Sequence, residues 1–442
     1  MSNKLTKRLS SAILNSLSAG VVPRKGAEHI VVGREAEIDA LRHDLDSIAG
    51  DSDGGGATCR LIVGRYGSGK SFMLQLLRNY ALQHNFVVAD ADLSQQRRLT
   101  GSKGEGLATY RELMMNMAIK TRPDGKAFDT VLEKWISKVQ TKFVRAGIDR
   151  KSRRFATAVE QGIYDVVDSM EDMVHGADFA KVIHDYWHGH QIGDDDQKAA
   201  AIRWLRGEYN SKIEARQALG VRSIIDDRSW YDYVKLMAYF VHEIGYSGLI
   251  VILDEAVSLY RISHSVSRRN NYERFLTIFN DTQQGGAEYL GVYFGATPDM
   301  VEDTRRGLFS YEALQTRLQT SRFVRAGLRD LNAPVIRLDQ LSGESIGQLL
   351  EKISAIHAFF YSYEPRLGAD HFRAFMTEVS SRLGADSLLT PREVAIDFVS
   401  ILNLLRQYPD ETFESLLGMI DFTASTKADP ELVDSPYASF QI

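Results

Sequence analysis

The stretch Gly64-Arg65-Tyr66-Gly67-Ser68-Gly69-Lys70-Ser71 decides the fold. It matches the phosphate-binding loop pattern G-x-x-x-x-G-K-[ST]. A short apolar run at residues 61–63 precedes it and a helical pattern follows it, which is the structural context that the motif requires. Glycines let backbone N–H groups converge on phosphate oxygens, and the following helix directs its positive end toward the same anion. The stretch therefore predicts a nucleotide-binding site.

Individual residues of this loop have separate predicted roles. The Lys70 ammonium is expected to reach the β and γ phosphates of ATP, and the Ser71 hydroxyl is expected to ligate Mg²⁺. Backbone N–H groups of the loop hold the remaining phosphate oxygens. The predicted cofactors are therefore ATP and Mg²⁺. The loop residues assigned to binding are Gly64, Gly67, Ser68, Gly69, Lys70 and Ser71.

Apolar runs on either side of the loop predict the remaining strands of a sheet. Continuous apolar character is typical of strands that are buried on both faces. A strand, a glycine-rich turn, a helix and a second strand make a βαβ unit, which implies a parallel sheet. The predicted strands are residues 61–63, 86–89, 248–253, 289–294 and 335–338.

Two long regions are helical by pattern. Residues from about 105 to 245 predict a long helical insertion between two strands, and helical spacing returns from about 340 to 406. The expected fold class is α/β: a parallel sheet with helices on both faces, the insertion, and a C-terminal α-helical lid. The expected divisions are 1–29 for an N-terminal amphipathic helix and linker, 30–338 for the α/β core, 339–406 for the lid, and 407–442 for a C-terminal helix and tail.

The composition is that of an ordinary globular protein. The chain has 442 residues, a net charge of −5, 44% apolar residues and 25% charged residues, which excludes disorder over most of its length. A mildly acidic chain is not expected to coat nucleic acid indiscriminately. The single cysteine, Cys59, cannot form an intramolecular disulfide and fits a reducing compartment. The longest apolar run, residues 236–241, is far shorter than the ~20 residues of a membrane helix.

The N-terminus faintly resembles a signal peptide, because basic residues precede apolar ones. Serines interrupt the apolar stretch, however, and no clear small-residue cleavage site follows it. An amphipathic helix that ends near Gly20 is the preferred interpretation, and with it a cytoplasmic protein that does not enter a membrane. The apolar residues that recur every fourth position are Leu5, Leu9, Ile13 and Leu17.

A second element joins an apolar run, residues 249–253, to two adjacent carboxylates. At the end of a strand, Asp254 would hold Mg²⁺ directly or through water, and Glu255 would polarise a water for attack on the γ phosphate. Acidic residues often end strands because they are solvated there, but the preceding phosphate loop favours the catalytic interpretation. The glutamate favours hydrolysis, since a pure nucleotide-binding switch often lacks it.

The end of the following strand supplies a candidate for orienting the attacking water. Thr297 follows that strand, and its hydroxyl would hydrogen-bond the water beside Glu255. Asn280 and Asp281, on the preceding helix, are rivals for this role. The alternative interpretation of Thr297 is a simple turn with Pro298 at the end of the strand.

Several arginines follow the same strand. In a ring-forming ATPase, one such arginine reaches the γ phosphate bound by the neighbouring subunit. Arg317 is favoured because Leu314 and Leu318 are expected to pack, which leaves Arg317 to point elsewhere. A solvated helix face is the alternative interpretation. The arginines considered are Arg305, Arg306, Arg317, Arg322 and Arg325, with Arg322 second to Arg317.

Thr390-Pro391-Arg392-Glu393 predicts the start of a helix in the lid. Thr390 would cap the helix, Pro391 would take its first position, and Glu393 would lie in its first turn. Arg392 then projects from the helix start, where a cation can fold over the bound nucleotide. An ordinary surface arginine is the alternative.

In this order the elements resemble the AAA+ class of P-loop ATPases, particularly its Orc/Cdc6-like branch, over roughly residues 30–406. The resemblance implies that Val31 and Val32, beside Gly33-Arg34-Glu35, belong to the adenine pocket. It also implies that Thr297 occupies the sensor 1 position and Arg392 the sensor 2 position.

A closer resemblance is to the ATP-binding P-loop protein of bacterial BREX phage-defence systems, the BrxD-like family. It implies a role in anti-phage defence, as a DNA-associated or helicase-associated loader. The segments that carry it are Gly20-Val21-Val22-Pro23, His29-Ile30-Val31-Val32-Gly33-Arg34-Glu35, the phosphate loop and Leu389-Thr390-Pro391-Arg392-Glu393.

One departure from the Orc/Cdc6-like pattern bears on DNA binding. That branch usually carries a winged-helix domain after the lid, and with about 35 residues after Arg406 no such domain is expected here. A basic stretch of the insertion, which contains a single acid, Asp149, is the other candidate for contact with DNA phosphates. A solvated helix face is the alternative. The basic residues are Lys142, Arg145, Arg150, Lys151, Arg153 and Arg154.

A histidine cluster in the insertion, His184, His188 and His190 with Asp185, suggests a metal site at first sight. No general-base glutamate lies between His184 and His188, so these residues are interpreted as structural or solvated.

The expected function is ATP hydrolysis coupled to a change in shape or assembly, with ATP between core and lid. The expected partners are a second copy of the chain, double-stranded DNA and other defence-system proteins such as a helicase. The alternative is an ATP-dependent interaction switch with negligible intrinsic turnover. A signalling ATPase of the STAND type is less favoured, since it usually carries sensor repeats or an effector domain.

Overall fold

The chain folds into two compact units, seen in a computed structural model that describes residues 4–50, 54–319, 329–383 and 390–419. As far as they are described, residues 35–66 and 70–338 form the first, which we call the sheet unit. The second, the helical unit, contains residues 1–34, 67–69 and 339–442, again within the described ranges.

In the described part of the sheet unit, five strands form one sheet in which every neighbouring pair is parallel. The strands are β1 (Ala57–Val63), β2 (Val87–Asp92), β3 (Leu249–Asp254), β4 (Leu290–Ala296) and β5 (Val335–Arg337). Their order across the sheet is β2-β3-β4-β1-β5. The predicted α/β class with a parallel sheet is therefore confirmed. All five strands end at one edge of the sheet, which is where ligands bind in open parallel sheets.

Burial separates the interior strands from β2, which lies at one side of the sheet. Consecutive residues of β3 and β4 are buried, so both faces of these strands are covered. β2 continues past its apolar half through Asp90 to Asp92, three residues beyond the predicted end at residue 89. That prediction was wrong because a strand with only one β-strand neighbour tolerates acidic residues, here the partly exposed Asp90 and the exposed Asp92.

The helices of the sheet unit include the predicted insertion. Seven of those described lie between β2 and β3, which confirms a helical insertion at that point. The helices are α2 (Glu35–Ala49), α3 (Lys70–Gln83), α4 (Glu105–Asn116), α5 (Phe128–Arg145), α6 (Arg153–Asp168), α7 (Gly176–Ile192), α8 (Asp195–Leu205), α9 (Lys212–Leu219), α10 (Trp230–Glu243), α11 (Val257–Tyr260), α12 (Ser265–Gln283), α13 (Pro298–Glu302) and α14 (Glu312–Leu318).

Aromatic side chains join helices of the insertion to one another, with contacts that centre on α10, the helix that directly precedes β3. The ring of Trp135, on α5, meets the ring of Phe240 edge-on, with centroids 5.3 Å apart. Phe179, on α7, approaches the same Phe240 ring at 6.1 Å. Removing a buried ring of this size costs about 3–5 kcal/mol. The buried residues of the insertion and those of the sheet belong to one hydrophobic core.

The helical unit combines the N-terminus with the C-terminal helices. It contains α1 (Lys7–Ser18), a 3₁₀ turn (Ala27–His29), α15 (Gly343–Tyr361), α16 (Ala369–Leu383), α17 (Pro391–Gln407) and α18 (Phe413–Met419). α1 buries Ile13, Leu14 and Leu17 and packs against α15 and α17, so the predicted N-terminal amphipathic helix is confirmed. None of the helices in the described ranges is long and apolar enough to cross a membrane.

Candidate active site

The phosphate loop connects the end of β1 to the start of α3, as the sequence predicts. Gly67 and Gly69 have φ angles of +77° and +96°, which side chains other than glycine rarely adopt. The Ser68 hydroxyl oxygen is buried and has no hydrogen-bond partner among the described residues. A phosphate group would supply the missing partner, since buried polar atoms are normally paired. The loop therefore fits a bound phosphate.

Lys70 begins α3 and is half-buried. Its Nζ donates to the carbonyl oxygen of Arg65, in the same loop, at 3.0 Å. Burial lowers the pKa of the Lys70 ammonium, while the nearby Asp254 and Glu255 carboxylates act in the opposite direction. A phosphate at this position would likewise favour the charged ammonium.

Ser71 and Asp254, the two predicted Mg²⁺ ligands, are in direct contact. The Ser71 hydroxyl donates to Oδ2 of Asp254 at 2.6 Å, and the backbone N–H of Glu255 donates to Oδ1 of the same carboxylate at 2.8 Å. A hydroxyl and a carboxylate oxygen are hard donors of the kind that Mg²⁺ prefers, with phosphate oxygens and water completing its shell. The donor set therefore fits a magnesium ion.

Gly295, on β4, makes room for this carboxylate. A Cβ atom at Gly295 would lie 2.1 Å from Oδ1 of Asp254, so any side chain here would displace the carboxylate. The sequence analysis assigned no role to this glycine. Its requirement arises from the pairing of β3 with β4, which a single sequence does not reveal.

Glu255 lies just after β3 in a strained conformation. Its φ angle is +53°, which is uncommon for a residue other than glycine and typical of functional sites. Desolvation raises the pKa of its carboxyl group, and Asp254 raises it further, while Lys70 lowers it. A carboxylate with a raised pKa is a better proton acceptor near neutral pH than an ordinary glutamate.

Asp92 is a third carboxylate at the same edge, and the sequence analysis missed it. The register of β2 and β3 places Asp92 directly beside Asp254. Desolvation and the negative charge of Asp254 raise the pKa of Asp92. The acidic residues Asp90 and Asp92 were a visible signal, but the strand was predicted to end before them. Asp92 and Glu255 are therefore both close enough to Asp254 for its negative charge to raise their pKa values.

Thr297 caps the short helix α13. Its hydroxyl oxygen accepts a hydrogen bond from the Met300 N–H at 3.4 Å. Thr297 follows the end of β4, where the Gly295 carbonyl accepts a hydrogen bond from the Ala256 N–H at 2.9 Å. The Thr297 hydroxyl therefore has a structural contact within its own helix, and its role toward a water stays a prediction.

The two rivals for that role have partners of their own. Asn280 accepts a hydrogen bond from Nε of Arg317 at 3.1 Å. Asp281 forms an ion pair with Lys235 at 2.8 Å. The contact between Asn280 and Arg317 joins two residues that the sequence analysis assigned to different roles.

The candidate arginines differ in their surroundings. Arg317 also donates to the Ala313 carbonyl at 2.9 Å, so its guanidinium is held within its own chain. Arg306 donates to the Tyr260 carbonyl at 2.9 Å, whereas Arg305 is exposed. Arg322 and Arg325 lie outside the described residues.

Within the helical unit, Arg34 ties the proposed base-binding segment to the loop. Its buried guanidinium donates to the carbonyls of Ser68, at 3.5 Å, and Asp339. Val32 is buried, and the half-buried Val31 accepts a hydrogen bond through its carbonyl from Nζ of Lys352 at 2.6 Å. Sequence reasoning noted Arg34 only as part of a motif, because nothing in one sequence identifies a buried arginine.

Arg392 projects from the start of α17, also in the helical unit. The predicted cap is confirmed: Thr390 and Glu393 form a reciprocal capping box, and Pro391 occupies the first turn. Arg392 is exposed, and its guanidinium lies beside Gly20, where a Cβ atom would come within 3.1 Å of Nε. Gly20 has a φ angle of +65°. Contact of Arg392 with a nucleotide stays a prediction.

The histidine cluster makes contacts with protein side chains. The His184 ring stacks on Tyr164 with centroids 5.1 Å apart, and His188 hydrogen-bonds Gln197 at 3.2 Å. Asp185 forms an ion pair with Lys181 at 2.9 Å. These contacts give the cluster a structural role.

Comparison with known families identifies one family that the chain matches. A family model described as "BREX system ATP-binding protein BrxC/D" matches residues 5–421. No curated protein matches the sequence. The family match covers almost the entire chain, including both compact units in the ranges described.

Proposed function

The chain belongs to the BREX system ATP-binding family BrxC/D, and from this we propose that it is a Mg²⁺-dependent ATPase of the AAA+ class. Turnover would drive assembly or remodelling in association with DNA. The observation that carries the proposal is the contact between Ser71 and Asp254 beside Glu255, a glutamate whose pKa is raised. ATP binding alone would not need a carboxylate poised as a base.

Each residue of the site has a role in the proposed reaction. Lys70 and the loop N–H groups hold the phosphates, and Ser71 and Asp254 hold Mg²⁺, which neutralises phosphate charge when bound. The Glu255 carboxylate accepts a proton from the attacking water. We keep Thr297 as the residue that orients this water.

The remaining assignments concern subunits and partners. We propose that Arg317 of a neighbouring copy stabilises the charge that develops on the γ phosphate, and that Arg392 responds to the same phosphate. The Orc/Cdc6-like resemblance supports both. Double-stranded DNA and other defence proteins, such as a helicase, are the proposed partners, in the bacterial cytoplasm.

The experiment that tests hydrolysis is ATP turnover by the purified chain, with and without duplex DNA, beside the Glu255→Gln variant. We expect measurable turnover that DNA stimulates and that the variant loses by about 10²–10⁴-fold, the usual contribution of a general base. Equal turnover by wild type and variant would overturn the assignment of Glu255. Turnover indistinguishable from background under both conditions would overturn the autonomous ATPase.

One observation favours a second function, an ATP-dependent interaction switch. Arg317 is held by Asn280 and by its own helix, so an isolated chain has this cation bound to itself rather than free for a neighbour. A switch would bind ATP and partner proteins with negligible turnover. Partner capture that follows nucleotide state, with flat turnover, distinguishes it from the ATPase.

A further inference from the structure

One segment of the insertion concentrates positive charge on a chain whose net charge is −5. Residues 134–154, which we call the basic segment, hold eight lysines and arginines and a single acid, Asp149. The segment covers the last two thirds of α5, the connecting loop and the first residues of α6. Its local charge is therefore opposite to that of the whole chain.

The α5 part of the basic segment lines a cleft. Lys134, Lys138, Lys142 and Arg145 recur every three or four residues, which places them along one face of the helix. All four line a cleft of about 680 Å³, whose other walls come from α6 and the end of α10. At 1.5 Å per residue the four positions span about 16 Å. The cleft thus carries a row of cations along one wall.

Two of these lysines already have partners that hold them in place. Nζ of Lys134 lies over the Tyr246 ring, 4.6 Å from its centroid, and Nζ of Lys138 donates to the Ile244 carbonyl at 3.0 Å. Neither of these partners is a carboxylate, and the residues that line the cleft include four cations and one acid, Glu243. The row is therefore held in position while positive charge predominates in the cleft.

The α6 part places cations where a helix disfavours them. Arg153 and Arg154 occupy the first turn of α6, which contains no acidic residue, and Arg150 and Lys151 precede it. The positive end of the helix dipole repels all four charges. Stability of the free protein therefore does not account for this arrangement, whereas a bound anion would.

Ion pairing elsewhere in the insertion makes the contrast clear. Arg203 pairs with Glu214 at 3.0 Å, and Arg206 pairs with Asp129 at 2.7 Å. Among the described residues, no ion pair involves the exposed cations of the basic segment from Lys142 onward. These cations are Lys142, Arg145, Arg150, Lys151, Arg153 and Arg154.

The anion that fits best is a nucleic acid duplex. Duplex DNA carries one negative charge per about 1.7 Å of its axis, so a row of this length meets several phosphates. Single strands are instead bound by aromatic rings on which bases stack. Of the rings nearby, Trp135 is 1% exposed, and Tyr164, which is 37% exposed, already stacks on His184.

We propose that the basic segment binds the phosphate backbone of double-stranded DNA without reading its sequence. This names the surface for the DNA association proposed above and rests on that proposal. Two residues that line the cleft, Glu243 and Ile244, lie shortly before β3 in the chain, and Asp254 and Glu255 lie at the carboxyl end of that strand.

The test compares two variants that each lose four exposed cations of the insertion. The first carries Arg150→Gln, Lys151→Gln, Arg153→Gln and Arg154→Gln. The matched control carries Lys212→Gln, Arg216→Gln, Arg222→Gln and Arg228→Gln, all exposed and outside the basic segment. Removing cations from the start of α6 relieves repulsion, so the first variant is expected to fold at least as well as wild type.

Binding of a fluorescein-labelled duplex of mixed sequence is measured by anisotropy over a series of salt concentrations. We expect the first variant to bind at least ~10-fold more weakly, with a slope of log K against log salt that is shallower by about 2–4, because each phosphate contact contributes about 0.9. The control should stay within about twofold of wild type.

Three results would overturn the inference: no duplex binding by wild type, equal losses in both variants, or tighter binding of a single strand or of RNA than of duplex. ATP turnover without DNA, measured on the same samples, separates the two proposals. If only the first variant loses DNA binding and wild type does not hydrolyse ATP, the proposed ATPase activity is contradicted and the proposed DNA-binding surface is supported. If wild type hydrolyses ATP but the first variant binds DNA normally, only the surface fails.

Discussion

At the scale of single residues, the candidate site depends on the strained glutamate Glu255 and on the carboxylates beside it. Asp254 has both oxygens occupied by protein donors, Ser71 and the Glu255 backbone. The Glu255 carboxyl group instead experiences desolvation and the negative charge of Asp254, which raise its pKa. The two adjacent carboxylates are therefore suited to different tasks, cation binding and proton transfer.

The raised pKa of Glu255 predicts the pH dependence of ATP turnover. The carboxylate accepts a proton only when ionised, so kcat/KM, which reports groups of the free protein, is retained above its pKa and falls as the pH drops through it. We expect the midpoint of this fall above 4.5, the ordinary value for glutamate. The measurement is kcat/KM against pH, with circular dichroism at each pH to show that the chain stays folded.

Asp92→Asn provides a matched variant for the same profile. Removing the Asp92 charge eliminates one of the causes that raise the pKa of Glu255, so the acid limb should move to lower pH. An acid limb centred at or below 4.5 in wild type, or one unmoved in the variant, would contradict this account of the carboxylates.

Gly295→Ala tests the space around Asp254. The new Cβ would lie 2.1 Å from Oδ1, so we expect Mg²⁺-dependent turnover to fall by at least ~10²-fold as the carboxylate is displaced. Gly347→Ala is the control, because no atom lies within 4 Å of its Cβ position in α15. That change should stabilise the helix by about 0.5–1 kcal/mol. Turnover retained in Gly295→Ala would show that Asp254 does not need its present position.

At the scale of elements, the start of α17 is stabilised by its capping box. The Thr390 hydroxyl oxygen accepts a hydrogen bond from the Glu393 N–H at 3.3 Å, and the Glu393 carboxylate accepts one from the Thr390 N–H at 3.3 Å. Thr390→Ala should therefore cost about 1 kcal/mol of stability, and Thr390→Ser should cost much less. Thermal unfolding of the two variants checks this, and equal melting temperatures would contradict it.

Sequence reasoning predicted the presence of the helices and strands well, but it placed some of their ends wrongly. The phosphate loop, the strand before Asp254 and the capped helix at Thr390 follow local rules, so one sequence predicts them. Asp92 and Gly295 acquire their roles only from the pairing of β2, β3 and β4, and Arg34 acquires its role from carbonyls distant in the chain. Such long-range contacts leave no periodic signal.

At the scale of the whole molecule, charge is unevenly distributed. The chain is acidic overall, yet residues 134–154 carry a net charge of +7. Average charge argued against indiscriminate nucleic-acid binding and was uninformative about a local surface. The composition therefore indicates the general class of protein. The candidate active site and the basic segment can be described only from the three-dimensional structure.

The proposed role of Arg317 predicts that ATP turnover depends on the assembly of several copies of the chain. If a neighbouring copy supplies this cation, turnover per molecule should rise with protein concentration, and Arg317→Ala should lose the rise together with at least ~10²-fold of the maximal rate. Arg305→Ala, at an exposed position, is the control and should behave as wild type. Specific activity that is constant over a hundredfold range of concentration would exclude a catalytic role in trans at those concentrations.

The central claim is that Glu255 converts bound ATP to ADP, and the most direct test is the identity of the nucleotide that the protein holds. Wild type and Glu255→Gln are each incubated with Mg²⁺ and ATP, separated from free nucleotide, denatured and analysed by chromatography. The account predicts ADP on wild type and intact ATP on the variant, with similar total occupancy. ATP intact on both, or ADP on both, would contradict it.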